Sequence, residues 1–74
     1  MGGINYARLE TSDRLRRVLS VLADGREYTT LDLMAFARVC AVSTAVAELR
    51  ANGFDIRCQR RGDLWFYRME VKNG

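Results

Sequence analysis

Arginine supplies most of the chemistry available to this sequence. Arg57, Arg60 and Arg61 stand close together with Gln59 between them. The planar guanidinium fork matches phosphate oxygens and the edges of guanine. Eleven of the twelve basic residues are arginine, so the bias runs through the whole chain, and the net charge of +3 over 74 residues suits a polyanionic partner. Histidine is absent, which removes the commonest general base and the commonest metal ligand together. There is no glycine-rich phosphate loop or paired-carboxylate site. No catalytic or metal-ligating residue is therefore assigned, no cofactor or small-molecule substrate is expected, and an enzyme is not the expectation.

A hairpin must hold the arginine cluster. After Gly53 the apolar period becomes two, with Ile56 and Cys58 alternating with Arg57 and Gln59. Arg60-Arg61-Gly62-Asp63 is a turn with Gly62 at its tip. Leu64 to Val71 returns as an aromatic-rich strand. If Arg68 and Glu70 face water, then Trp65, Tyr67, Met69 and Val71 face inward as core. Leu64 and Phe66 then form an outer apolar pair that needs a cover or a partner, and they are the candidate protein interface.

Two short helices precede the hairpin. Thr30 is placed to cap the first of them, and Leu31, Met34 and Phe36 give it an apolar side. Arg38-Val39-Cys40 is the break. Val42, Val46 and Leu49 then mark the buried stripe of a helix from Ala41 to Ala51, which Asn52-Gly53 ends. Two helices so briefly joined must cross steeply around one core, as in a helix-turn-helix. The second presents Ser43, Thr44, Ala47 and Glu48 outward. Arg50 lies in its last turn, where it suits the helix dipole or a phosphate.

Upstream, Thr11 and Ser12 offer an N-cap, and Leu15, Val18, Leu19 and Leu22 form the stripe of an amphipathic helix. Arg14, Arg16 and Arg17 lie on its other side. Arg14 and Arg17 share one flank and are candidate phosphate contacts, as is Arg38 at the break. Asp24-Gly25 stops this helix, and Glu27-Tyr28-Thr29 is a short extended segment expected to pair with the hairpin. Residues 1–10, with Ile4, Tyr6 and Leu9, are a lead-in; 11–71 is one domain; 72–74 is a polar tail. Cys40 and Cys58 lack metal-site spacing and are expected to be small buried apolar residues. No apolar run approaches the ~20 residues of a membrane span, and no signal-peptide pattern opens the chain, so no membrane association and a cytoplasmic location are expected.

The expected architecture is α+β: three helices followed by a β-hairpin wing, with a short third strand between the first two helices. Leu22-Ala23-Asp24-Gly25-Arg26-Glu27-Tyr28 and Glu48-Leu49-Arg50-Ala51-Asn52-Gly53-Phe54-Asp55-Ile56 resemble the winged-helix pattern in the N-terminal DNA-binding domain of biotin protein ligase repressors. The chain resembles more closely a group of small phage and prophage helix-turn-helix proteins. Their Thr-Thr-Leu-Asp start, Cys at the break, Leu-Arg-x-x-Gly-Phe-x-Ile exit and aromatic-Arg-apolar tail have counterparts from Val18 to Met69. The chain departs from that pattern in having no glycine near Arg38, and Ala45 stands where the group often has arginine.

That resemblance implies a winged helix-turn-helix that binds double-stranded DNA and regulates transcription. Ser43, Thr44, Ala47 and Arg50 would face the major groove. Arg57, Gln59, Arg60 and Arg61 would lie on the flanking backbone, with Arg14, Arg17 and Arg38 as further phosphate contacts. A homodimer is expected if binding is sequence-specific. The second helix is poor in the long bidentate side chains that read bases. The alternative is therefore a winged helix reused to bind a host protein or a second copy.

Overall fold

The computed structural model describes residues 12–70. The lead-in with Ile4, Tyr6 and Leu9, the Thr11 cap, the inward Val71 and the 72–74 tail lie outside them. Among the described residues the architecture is α+β, with three helices and a three-stranded antiparallel sheet. Its elements are α1 (Asp13–Leu22), β1 (Tyr28–Thr29), α2 (Thr30–Ala37), α3 (Val42–Ala51), β2 (Ile56–Arg61) and β3 (Leu64–Met69).

α1 begins where Ser12, in extended conformation, accepts the Leu15 N–H on its hydroxyl at 3.2 Å. Leu15, Val18 and Leu22 are fully buried, as their helical spacing requires. α2 begins one residue earlier than Thr30 would place it: Thr29 is the N-cap. Its hydroxyl accepts from Asp32 N at 3.1 Å, while the Asp32 carboxylate accepts from Thr29 N at 3.0 Å. This reciprocal box satisfies two orphan N–H groups, and only Thr29 has an acid three residues on to complete it.

The buried side of α2 is also not the expected one. Leu33 and Ala37 pack into the core, while Leu31, Met34 and Phe36 are exposed. Apolar residues surround this helix almost completely, so spacing alone could not choose its inward face. Leu33 and Ala37, one turn apart, win because together they meet the α1 stripe.

Across the break the helix axes bend by 83°. Val39 is buried within the break and joins Val42, Ala45, Val46 and Leu49 in the core. Ala45, assigned outward on the resemblance, is wholly buried, because it sits one residue before Val46 and four before Leu49 on the inward stripe. α3 ends in a Schellman motif: Phe54 N donates to Leu49 O at 3.1 Å and Gly53 N to Arg50 O at 3.0 Å. Gly53 takes φ +97°, a region other residues rarely occupy.

The sheet order is β1-β3-β2, with β3 central. The short strand expected between the first two helices is present, pairing Tyr28 with Tyr67 and Thr29 with Phe66. In the hairpin Ile56 pairs with Met69, Cys58 with Tyr67 and Arg60 with Trp65. Two residues connect its strands, and Gly62, the first of them, has φ +62°, the position where a type II′ connection favours glycine. Alternation then puts Ile56, Cys58, Arg60, Trp65, Tyr67 and Met69 on the face toward α3, and Arg57, Gln59, Arg61, Leu64, Phe66 and Arg68 on the outer face.

Three further expectations need correction. Trp65 is on the inner face but 44% exposed, because the hairpin runs past the end of the helical core before it turns. Cys40 and Cys58 are exposed free thiols, not buried apolar residues. Cys40 lies in the break, and Cys58 lies where the inner face of β2 has left the core after Ile56. Phe66 does not pair with Leu64 as bare apolar surface: it is half-buried, with the Arg61 guanidinium 4.3 Å above its ring. Leu64 remains exposed.

Candidate nucleic-acid interface

The arginines divide by the kind of group they bind. Four meet carboxylates: Arg14 with Glu48 at 2.6 Å, Arg57 with Asp55, Arg68 with Glu70, and Arg61 with Glu27. Their charge is compensated locally. A second set binds only backbone carbonyls. Arg17 Nε donates to Ala37 O at 2.7 Å and its Nη2 reaches Arg38 O, so it closes the C-terminus of α2. Arg50 grips Ile56 O with Nε at 2.8 Å and Nη2 at 2.6 Å, tying the end of α3 to the start of β2. Arg60 Nε donates to Gly62 O within the hairpin turn. A carbonyl partner orients a guanidinium without bringing a counter-charge, so no paired carboxylate offsets Arg17, Arg50 or Arg60.

On α3 and the hairpin, the compensated and uncompensated arginines occupy different surfaces. Arg57, Arg61 and Arg68, all paired with acids, lie on the outer face of the sheet. Arg60 is on the inner face, opposite Trp65. Arg50 lies beside the cleft between α3 and the hairpin. Arg38 is exposed at the start of the break, in the left-handed conformation at φ +55°. Its carbonyl and that of Ala37 are both held by Arg17.

On α3, Ser43, Thr44 and Ala47 are exposed as expected. Glu48 would repel phosphate if it stood alone, but Arg14 binds it from α1. Gln59 is on the outer face, where its side-chain oxygen accepts from Arg61 Nη2 at 3.2 Å. The sequence candidates therefore fall into two groups. Ser43, Thr44, Ala47 and Arg50 lie on α3, with Ser43 and Arg50 lining the cleft beside it, and Arg60 is on the hairpin face toward α3; Arg57, Gln59 and Arg61 point to the opposite side of the sheet. Arg14 and Arg17 brace α1 against the other two helices.

The cleft is the feature that sequence reasoning missed. It encloses ≈ 530 Å³, with Val42, Ser43, Val46 and Arg50 of α3 on one wall and Cys58, Trp65 and Tyr67 of the hairpin on the other. Thr30, Cys40 and Ala41 also line it. The signal for it was Arg60. A charged residue on the inner face, directly across from Trp65, marks where that face has passed beyond the core.

Two titrations are shifted in the segment that leads from α1 into α2. The Tyr28 hydroxyl donates to Asp24 Oδ2 at 2.5 Å, and the Arg26 N–H donates to Oδ1 at 2.9 Å. These bonds, the phenol's first, stabilise the carboxylate and lower its pKa from the ordinary 3.8. The same hydrogen bond to Asp24 raises the Tyr28 phenol above 10.0. On the outer sheet face the hydrogen bond to Asp55 holds Arg57 above its usual value.

Compared with known proteins, the chain matches no family model, no curated protein and no solved structure. Among the described residues, no three or more Cys, Asp or Glu side chains group as a metal site, and no single helix is long and apolar enough to cross a membrane.

Proposed function

We propose that this protein is a winged helix-turn-helix that binds double-stranded DNA in the cytoplasm as a phage- or prophage-type transcriptional regulator. α3 is the helix that enters the major groove, and the β2–β3 hairpin is the wing. The observation that carries this reading is the placement of uncompensated charge: Arg50 lines the cleft with the exposed Ser43 and no carboxylate among its walls, and Arg60, on the hairpin face toward α3, has only the Gly62 carbonyl as partner. The 83° bend between α2 and α3 supports it, since helix-turn-helix pairs cross near a right angle. So does the hairpin that follows α3 directly.

Affinity on this reading comes first from phosphate contacts, and sequence preference from the short side chains of α3 and from DNA shape. Ser43 and Thr44 can hydrogen-bond base edges or phosphates, and Ala47 can meet a thymine methyl. A lone domain of this size covers few base pairs, so specific binding goes with a homodimer on two half-sites. The test is a salt series of binding to random and native-genome duplexes. Binding that weakens steeply with salt, and is lost in Arg60→Glu, is expected. No binding at about 50 mM salt would overturn the reading.

A second reading, a protein-interaction module for a host protein or a second copy, is favoured by α2. Leu31 is 66% and Phe36 63% exposed, and Met34 adds to an outward side with Asp32 as its one charged residue. Co-purification with a partner that Leu31→Glu/Phe36→Glu abolishes, together with absence of DNA binding, would favour it.

A further inference from the structure

We propose that the cleft between α3 and the hairpin is a binding site for a planar aromatic anion, a ring carrying one phosphate or carboxylate group. Its ≈ 530 Å³ falls in the range of small-molecule sites, which pair apolar walls with a few fixed polar groups. Val42, Val46 and Tyr67 supply the apolar wall. Trp65 lines the cleft with much of its indole exposed, a flat surface on which another ring can stack.

The anionic half of the ligand follows from Arg50. Two of the five N–H donors of a guanidinium are committed here to one carbonyl, Ile56 O, which fixes the group in place and leaves its charge unopposed. The cleft lining contains no aspartate or glutamate. Arg60, across the strand pair from Trp65 and bound only to the Gly62 carbonyl, adds positive potential at the hairpin end. A cation held by a neutral partner across the cleft from an exposed indole is preorganised for a ligand that joins an aromatic ring to a negative group.

The chain has one tryptophan, so its emission reports this cleft directly. AMP represents the phosphate source and benzoate the carboxylate source; adenosine, inorganic phosphate and acetate carry only half of the proposed chemistry. Saturable change with AMP or benzoate, about tenfold tighter than with the corresponding half-ligands, is expected. Whichever of the two binds tighter identifies the source. Arg50→Gln should weaken that binding by about tenfold, and so should Trp65→Ala followed by calorimetry. If Arg50→Gln unfolds on losing its grip on Ile56, the exposed Trp65 variant decides alone. The proposal is overturned if neither anion saturates below about 1 mM, if adenosine binds as well as AMP and acetate as well as benzoate, or if the folded variants bind like the parent. Duplex binding measured on the same preparation is a separate readout: intact DNA binding with an empty cleft removes this site and leaves the proposed function standing.

Discussion

Arg17 on α1 donates its Nε–H to the Ala37 carbonyl at the C-terminus of α2, 2.7 Å away, and its Nη2 reaches the next carbonyl, Arg38 O. The residue therefore closes a helix whose last turn has no basic side chain of its own. Orphan carbonyls at a helix end favour a cation, and a charged donor in a part-buried site is worth more than a neutral one. Arg17→Met, which keeps most of the apolar stem, should lower stability by about 1–2 kcal/mol. Thermal unfolding checks it, with a fall in Tm of several degrees expected for a domain of this size. An unchanged Tm accompanied by weaker DNA binding would instead make Arg17 a phosphate contact.

Arg38 holds φ +55° at the end of α2. A left-handed residue with a Cβ is strained by roughly 1–2 kcal/mol, and glycine relieves that while loosening the unfolded chain by about 0.4–1 kcal/mol. Arg38→Gly should therefore stabilise the fold by roughly 0.5–1 kcal/mol, and Arg38→Ala should not. The pair separates backbone strain from loss of the charge, since both remove the guanidinium. Equal melting temperatures for the two variants would show that the strain is negligible.

Where the sequence was legible, a strong local pattern agreed with the tertiary outcome. The Leu15, Val18, Leu22 stripe, the Val42, Val46, Leu49 stripe and the Gly53 stop each admit one arrangement, and each is found. α2 was illegible because its apolar residues ring the helix, so the choice of Leu33 and Ala37 over Leu31 and Phe36 belongs to packing against α1. The cap at Thr29 was hidden by a Thr29-Thr30 pair in which either hydroxyl could serve; only the Asp32 side chain decides between them. Trp65 and Cys58 were misplaced for a different reason. Alternation names a face of the hairpin, but it says nothing of how far along the strand that face still has a core beneath it. The candidate site was legible as a cluster of arginines, but their division between carboxylate and carbonyl partners depends on contacts between residues as distant as Arg14 and Glu48.

The Asp24–Tyr28 pair gives stability a pH signature at both extremes. Asp24 has a folded pKa below 3.8, so its contribution is complete above that value and is lost as pH falls through the lowered one. Tyr28 has a folded pKa above 10.0, so its contribution is complete below 10.0 and is lost as pH rises through the raised one. Tyr28→Phe removes the hydrogen bond that drives both shifts. The melting temperatures of the parent and this variant should differ by a constant amount at intermediate pH, then converge in acid and again in base. Carboxyl NMR titration offers a second check: Asp24 should move back toward its ordinary value in Tyr28→Phe. A difference that persists unchanged at both extremes would assign the effect to the ring, not to the hydroxyl.

The hairpin arginines should contribute unequally to DNA binding, because they face opposite sides of the sheet. Arg60 lies on the α3 side with only a carbonyl partner, whereas Arg57 lies on the outer side against Asp55. To touch phosphate, Arg57 must leave its carboxylate and the backbone must pass behind the wing. Arg61 is bound to Glu27 and stacked on Phe66, so it too begins from a satisfied state. Each lost phosphate contact lowers the slope of log affinity against log salt by about 1. Arg60→Gln should show that full change, Arg61→Gln less, and Arg57→Gln almost none. The measurement is the salt slope of each variant on one random-sequence duplex, where base reading plays no part. Equal losses at Arg57 and Arg60 would mean that DNA meets the outer sheet face, and α3 would no longer be the helix in the groove.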